Sequence, residues 1–405
     1  MAGNKLFQLL VIFSLIPLGP LAIDVYLPSF PQMIEAFSIS DSEIRQTISI
    51  YVLALGVSQL IAGPISDRKG RKFSAMLGLV LYAAGSLFVV LSSSLEMLYA
   101  ARALQGVGAS FTMITAMAWV RDNYEGDTAG KWLSYMGGVT SAVPTIAPLI
   151  GSGLAVLWGW TGGFYLMAGL AILLFVMSAV ALPSKKTLKS KGNLKNTVDL
   201  KDTEALKCNV RDILTNRTFL VYSLTNMLSF GALLTYISVA PIVAISDGGL
   251  SQVQFSMMFG VIGGVQILAS FIAPRLMTSF GRRNTVRFGA TVISAGGVGL
   301  LMIRPDATYL FFALSALGAA GFSLLSGSAT SLALEPFKYC AGLATSIDGF
   351  FRMIGGALLV VLSGLLGFSS IATLAMVMLM SLLPVLLITL DNRKAQRTNA
   401  RLGSS

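Results

Sequence analysis

Histidine is absent from this chain of 405 residues, and cysteine occurs only at Cys208 and Cys340. Two cysteines and no histidine cannot build a zinc or iron–sulfur site, and a disulfide framework is excluded. No P-loop pattern appears, so direct drive by ATP is not expected. Charge is scarce as well. Only 12% of the residues are charged, against roughly 25% in soluble domains. What fills the space is apolar: 55% of the chain is hydrophobic, and such a chain belongs in a bilayer. The net charge of +11 raises the question of nucleic acid, which the distribution of the charge answers below. The first apolar run is long, a proline pair follows it, and no small-x-small site closes it, so a cleaved signal is not expected.

A membrane helix needs about 20 mostly apolar residues. Twelve such segments are read, at 6–27, 44–65, 73–93, 95–120, 131–157, 162–182, 218–245, 252–277, 285–303, 307–333, 339–366 and 369–390. The fold class expected is therefore an all-α integral membrane protein with twelve transmembrane helices in two six-helix bundles. Residues 1–182 form the first bundle and 218–392 the second. A polar cytoplasmic linker, 183–217, joins them, and 393–405 is a cytoplasmic tail. Orientation follows from lysine and arginine. With the N-terminus inside, the outer loops hold only Arg45 and Arg304, while Arg102 and Arg352 lie within helices; the rest of the 29 basic residues are on the inner side. This asymmetry puts both termini in the cytoplasm, accounts for the positive charge and removes nucleic acid as a partner.

The halves echo each other. Leu104-Gln105-Gly106-Val107-Gly108-Ala109-Ser110 is matched by Leu317-Gly318-Ala319-Ala320-Gly321-Phe322-Ser323. Gly70-Arg71-Lys72 is matched by Gly281-Arg282-Arg283, and Tyr26 to Pro31 by Tyr236 to Pro241, at offsets of 213, 211 and 210. Parallel repeats with a substrate site between them are a known plan of secondary transporters.

Within the first segment, Asp24 stands in an apolar run broken by Pro17, Gly19, Pro20, Pro28 and Pro31. An ionisable group inside a membrane costs about 2.5–3.5 kcal/mol on insertion scales and is a functional candidate by default. Asp24 is read as facing an internal cavity and exchanging a proton there; the alternative is an acid held in headgroup water. Arg102, in the fourth segment, needs an inward-facing partner for the same reason. Both lie at compatible depths, so they are expected to sense each other. The alternative for Arg102 is snorkelling to the interface. Gln105, one turn along, is a hydrogen-bonding neighbour.

The loop after the second segment reads Gly63-Pro64-Ile65-Ser66-Asp67-Arg68-Lys69-Gly70-Arg71-Lys72. Gly70 permits a sharp turn. Asp67 can pair with an arginine in a contact weak enough to break, which suits a gate; a plain positive-inside anchor is the simpler reading. Gly63-x-x-x-Asp67-Arg68-x-Gly70-Arg71-Lys72 resembles the signature loop of the major facilitator superfamily. Ala22-Ile23-Asp24-Val25-Tyr26-Leu27-Pro28-Ser29-Phe30-Pro31 resembles the first helix of its bicyclomycin-resistance (Bcr/CflA) branch of drug:proton antiporters. The resemblance implies a proton-coupling role for Arg102 beside Asp24, and a gating role for Gly63, Asp67, Arg68, Gly70 and Arg71. Gly138 to Gly153, with Pro144, Pro148 and Gly151, resembles the antiporter motif, although Val143-Pro144 replaces its central Gly-Pro and Thr161 follows Gly159-Trp160 where an arginine is common. Pro144 and Pro148 each remove a backbone donor, so a kink is expected.

Asp348 and Arg352 stand at i,i+4 in the eleventh segment and can neutralise each other. Substrate contacts are read at Tyr26, Gln105, Met113, Tyr135, Met227, Tyr236 and Asp348, aromatics and methionines suiting an adaptable pocket. The resemblance thus implies a proton-coupled efflux transporter for small amphipathic molecules, working by alternating access as a monomer in the bacterial inner membrane. No cofactor, no metal and no enzymatic activity are expected. A dedicated exporter of an endogenous metabolite such as a siderophore, and a non-transporting receptor on the same scaffold, are the alternatives.

Overall fold

The computed structural model describes residues 2–124, 126–183, 210–304, 307–365 and 368–384. They are helical with no strand among them. The elements are α1 (Ala2–Leu15), α2 (Leu18–Asp24), α3 (Phe30–Phe37), α4 (Asp41–Lys69), α5 (Arg71–Val90), α6 (Leu95–Asn123), α7 (Gly126–Trp158) and α8 (Gly162–Ala181). After the linker come α9 (Val210–Thr215), α10 (Arg217–Pro241), α11 (Gln252–Phe280), α12 (Arg282–Met302), α13 (Thr308–Leu334), α14 (Ala341–Leu365) and α15 (Ser370–Met380). Most of the expected linker, and the whole C-terminal tail, lie outside the described residues.

Ten helical stretches are long and apolar enough to cross a membrane, and an eleventh, Ser370–Pro384, is shorter. One of the ten, Ala142–Ala181, joins the end of α7 to α8, so the number agrees with twelve crossings. The molecule carries its apolar residues outward: Val180, Phe271 and Met302 are each more than three-quarters exposed. Its buried positions include Asp24, Arg102, Gln105, Asn226 and Asp348. Lipid is the solvent that such a surface requires.

The first apolar stretch runs on to Phe37 rather than ending near residue 27. Its prolines interrupt it without ending it. Pro28 opens a 3₁₀ turn, Leu27–Ser29, and Pro31 sits in the first turn of α3. At those positions the missing N–H is not needed. A capping box then starts α4: Ser40 N–H donates to Glu43 Oε2 at 2.7 Å, and Glu43 N–H donates to Ser40 Oγ at 3.3 Å.

The described chain divides into two compact units. One is made of Met1–Thr197, Ile237–Gly264 and Val360–Leu365, the other of Val198–Tyr236, Val265–Leu359 and Leu366–Ser405. In the first unit, Ser256 Oγ on α11 donates to the Pro148 carbonyl at 2.8 Å, and Thr145 of α7 lies against Gly260 and Gly263. The internal repeat has a structural form. A Cβ on Gly78 would stand 2.8 Å from the Gly108 carbonyl oxygen, where α5 crosses α6. A Cβ on Gly289 would stand 2.7 Å from the Gly321 carbonyl oxygen, where α12 crosses α13. Gly70 and Gly281 end the preceding helices with φ of +96° and +78°, a region that side chains with a Cβ rarely adopt.

These crossings predict a contrast. Gly78→Ala and Gly289→Ala each destabilise the protein by about 1–3 kcal/mol, because two backbones must separate. Gly63→Ala and Gly153→Ala do not, since nothing lies within 4 Å of an added Cβ. Thermal unfolding of the four variants in detergent checks this; equal melting temperatures would refute the repeat-crossing argument.

Candidate functional site

The break in the first stretch builds the site. Pro20 has no N–H to offer the Ile16 carbonyl, and Gly19 N–H takes that acceptor instead, at 3.4 Å. α2 ends at Asp24, and three of its carbonyls, two in its first turn and Ala22 O in its last, receive side-chain donors from neighbouring helices. Tyr82 of α5 donates to Leu18 O and Tyr51 of α4 to Gly19 O, both at 2.8 Å, and Arg102 Nη2 of α6 donates to Ala22 O at 2.9 Å.

Arg102 is fully buried. Its guanidinium carbon lies 4.6 Å from the Tyr26 ring centre and 4.7 Å from that of Tyr51. Nη1 donates to Gln105 Oε1, and Nε donates to Thr47 O at 3.4 Å. Gln105 Nε2 passes the network to Ser86 Oγ at 2.8 Å. Tyr26 and Thr47 share a hydroxyl–hydroxyl bond of 2.8 Å. Carbonyl oxygens and two aromatic faces thus hold the cation. A desolvated cation–π contact is worth about 2 kcal/mol.

Asp24 is not one of these partners. It is 2% exposed, and its Oδ1 has no hydrogen bond among the described residues. No ion pair within 4 Å joins it to Arg102 among those residues. The expected link between acid and arginine is therefore one of shared neighbourhood. Arg102 is engaged instead by Ala22 O of the broken helix, Thr47 O of α4 and the Gln105 amide.

α7 closes over the break. Gly151 meets the backbone of Val25, where an added Cβ would overlap the Val25 carbonyl oxygen. Of the other antiporter-type positions, Pro148 is buried, Pro144 is half-buried and Gly153 faces open space. The surroundings of Gly138 lie outside the described residues. α7 continues as one helix through both prolines.

The loop that turns at Gly70 is tied together by Arg71. Its Nη1 reaches Asp67 Oδ1 at 2.5 Å and Ser66 Oγ at 2.9 Å, and its Nε reaches Asp122 Oδ2 at 2.7 Å. Exposed pairs of this kind are worth about 0.2–1 kcal/mol each. The sequence reading missed Asp122. Its signal was the repeat: Arg282 pairs with Glu335 at 3.1 Å, and Glu335 stands 213 residues after Asp122. Arg68 precedes Arg71 in the loop, and a Cβ added at Gly63 would meet nothing within 4 Å.

In the second unit, Asp348 is 3% exposed. Ser223 Oγ donates to its Oδ1 at 2.7 Å, and Asn226 Nδ2 and Thr330 Oγ1 approach its Oδ2 at 3.4 and 3.5 Å. The expected Asp348–Arg352 pair is absent among the described residues. The carboxylate is held by α10 and α13, and the Arg352 guanidinium lies 5.8 Å from the Phe230 ring centre. Among the expected substrate contacts, Tyr26 and Gln105 belong to the Arg102 network. Met113 covers Gly19 and Met227 covers Gly355. Tyr236 packs on Phe311, and Tyr135 is 60% exposed beside Trp132.

A family model described as Major Facilitator Superfamily matches residues 12–360. The chain belongs to the major facilitator superfamily. Its relatives include proteins named multidrug resistance protein MdtL. That of Klebsiella pneumoniae strain 342 is 29% identical over 364 residues, 89% of each chain. That of Salmonella paratyphi C is 28% identical over 381 residues, 94% of each. Among solved structures, a bacterial homologue of the human lysosomal transporter Spinster, inward-facing and unoccupied, superposes with a TM-score of 0.74. It covers 95% of each chain at 15% identity. An occupied form of that homologue gives 0.76, covering 98% of this chain and 97% of that one. Those structures support the fold alone. Membership of the superfamily makes the chain a multi-pass membrane transporter rather than an enzyme.

On this superfamily scaffold, Asp24 and Arg102 have opposite structural weight. Arg102→Ala leaves Ala22 O and Thr47 O buried without this donor and lowers stability by about 3–5 kcal/mol, the usual cost of stripping one partner from a buried charged network. Asp24→Asn leaves stability unchanged or raises it, because no bond to Oδ1 is lost. Melting temperatures of the purified variants decide; a drop with Asp24→Asn as large as with Arg102→Ala would show that Asp24 is a braced member of the network.

Proposed function

We propose that this protein is a proton-coupled exporter of small amphipathic molecules, with drugs among them, and that Asp24 carries the coupling proton. The observation that carries the reading is the buried Asp24 carboxyl, whose Oδ1 has no partner among the described residues, at the end of a broken helix. A charge without a partner in a dry site costs several kcal/mol, and taking up a proton removes the charge. The names of the MdtL relatives support a drug-like substrate.

Two six-helix bundles, 1–182 and 218–392, alternate about a central substrate site, with 183–217 as the tether between them. The distribution of lysine and arginine supports cytoplasmic termini in a bacterial inner membrane. The protein works as a monomer, and its partners are the bilayer, the substrate and protons. In the cycle, Asp24 takes a proton from outside while the outer side is open. Closure of that side and opening of the inner side follow. Substrate entering from the cytoplasm or inner leaflet displaces the proton. Arg102 keeps the elbow at Asp24 in shape while its charge favours release. The Arg71 latch with Asp67 and Asp122 breaks and re-forms on the cytoplasmic side. Gly151 lets α7 follow the Val25 elbow. Substrate and proton shift the equilibrium only through different affinities for the two states.

Wild type and Asp24→Asn in proteoliposomes test the reading, with a panel of chloramphenicol-like and lipophilic-cation substrates. Wild type accumulates substrate against its gradient when a pH gradient is imposed and releases protons on substrate addition in detergent. Asp24→Asn loses both and keeps substrate exchange without a gradient. Gradient-driven accumulation by Asp24→Asn equal to that of wild type would remove Asp24 as the carrier.

A further inference from the structure

The second unit buries a polar cluster that the proton mechanism does not use. α10 contributes Ser223 and Asn226, three residues apart on one face. α13 contributes Thr330, and α14 contributes Asp348. Ser223, Asn226 and Asp348 are each at least 97% buried. Besides the contacts to Asp348, Asn226 Nδ2 donates to Thr330 Oγ1 at 2.9 Å. The set therefore gathers two hydroxyls and one amide around the two carboxylate oxygens.

Two features do not fit a finished structural network. The amide oxygen of Asn226 is buried with no hydrogen-bond partner among the described residues. The amide nitrogen, in contrast, bridges the oxygens of Thr330 and Asp348. A half-turn of the amide exchanges its nitrogen and oxygen. The unpartnered oxygen then joins the other oxygens, and the serine and threonine hydroxyls rotate to present lone pairs. Oxygen-only sets of carboxylate, amide carbonyl and hydroxyl suit hard cations. The formal charge of the set is a single negative one. Arg352 stands one turn along α14; it makes no ion pair with Asp348 within 4 Å among the described residues and lies against Phe230. One negative charge, with an arginine close by, matches a monovalent ion and disfavours a divalent one.

We infer that Asp348, Asn226, Ser223 and Thr330 form a binding site for a monovalent alkali cation within the second unit. The site is separate from Asp24, which lies in the first unit, and it holds whether or not Asp24 carries the proton. Its occupant neutralises the buried carboxylate and ties α10, α13 and α14 together.

The test uses the full chain, purified in detergent. Melting temperature and radioactive sodium binding are followed as NaCl or KCl replaces choline chloride at fixed ionic strength. Wild type shows a saturable rise in melting temperature with an alkali cation, and so does Asp24→Asn. Asp348→Asn abolishes the rise and the binding. Thr330→Val, which removes a half-buried hydroxyl and keeps the shape, weakens the cation by roughly 10-fold while eluting as a monodisperse species. The inference is overturned if alkali cations act no differently from choline on wild type, as a site occupied by a proton alone requires. It is equally overturned if both Asp348→Asn and Thr330→Val bind sodium like wild type. Proton release at Asp24 is read separately, so either assignment can fail without the other.

Discussion

Backbone polar groups inside a membrane need partners from the protein itself, and this constraint is sharpest where the first transmembrane stretch breaks. α2 ends at Asp24, and its carbonyls receive Tyr82, Tyr51 and Arg102, each from a different helix. Three of the largest fully buried side chains in the protein are Arg102, Tyr26 and Tyr51, and all three belong to this one junction. The junction fixes α4, α5 and α6 against the first stretch. It also leaves a carboxyl at the break that is not consumed in holding the break together. A group that braces the structure cannot change state cheaply, whereas one left out of the bracing can.

The repeat shows which parts of the fold are scaffold and which are specialised. Both units cross two helices on facing glycines, both turn on a glycine of positive φ, and both close that turn with an arginine–acid pair. The buried acids do not follow the repeat. Asp24 lies on the first stretch of one unit, and Asp348 on the fifth of the other. At the offsets that relate the halves, Asp24 and Arg102 correspond to Thr235 and Ser315 or their neighbours. Duplicated architecture with unduplicated charges is what a division of tasks between the units requires.

Much of this was legible in the sequence because membrane burial follows a simple rule. Apolar runs of helical length located the crossings, and the isolated ionisable residues located the junction. The Asp67–Arg71 pair was readable from its i,i+4 spacing and the turn at Gly70. What escaped was pairing at long range. Compatible depth relates Arg102 to Asp24, but the acceptors that hold Arg102 are Ala22 O at the helix break, Thr47 O and Gln105, and a backbone acceptor is recorded by no residue letter. Asp348 was matched with Arg352 by spacing alone, yet Ser223, Asn226 and Thr330 on other helices took its oxygens. The first stretch was read as ending too early because a proline in a first helical turn looks like one that stops a helix.

The central claim is that Asp24 stands outside the bracing network and is free to exchange a proton. Infrared difference spectroscopy of wild type against Asp24→Asn, before and after substrate addition, reads that carboxyl directly. The account predicts a protonated-carboxyl band in the resting wild type that is absent from the variant and is lost when substrate binds. A carboxylate band already present at rest and unchanged by substrate would contradict it, placing Asp24 as a fixed charge of the junction.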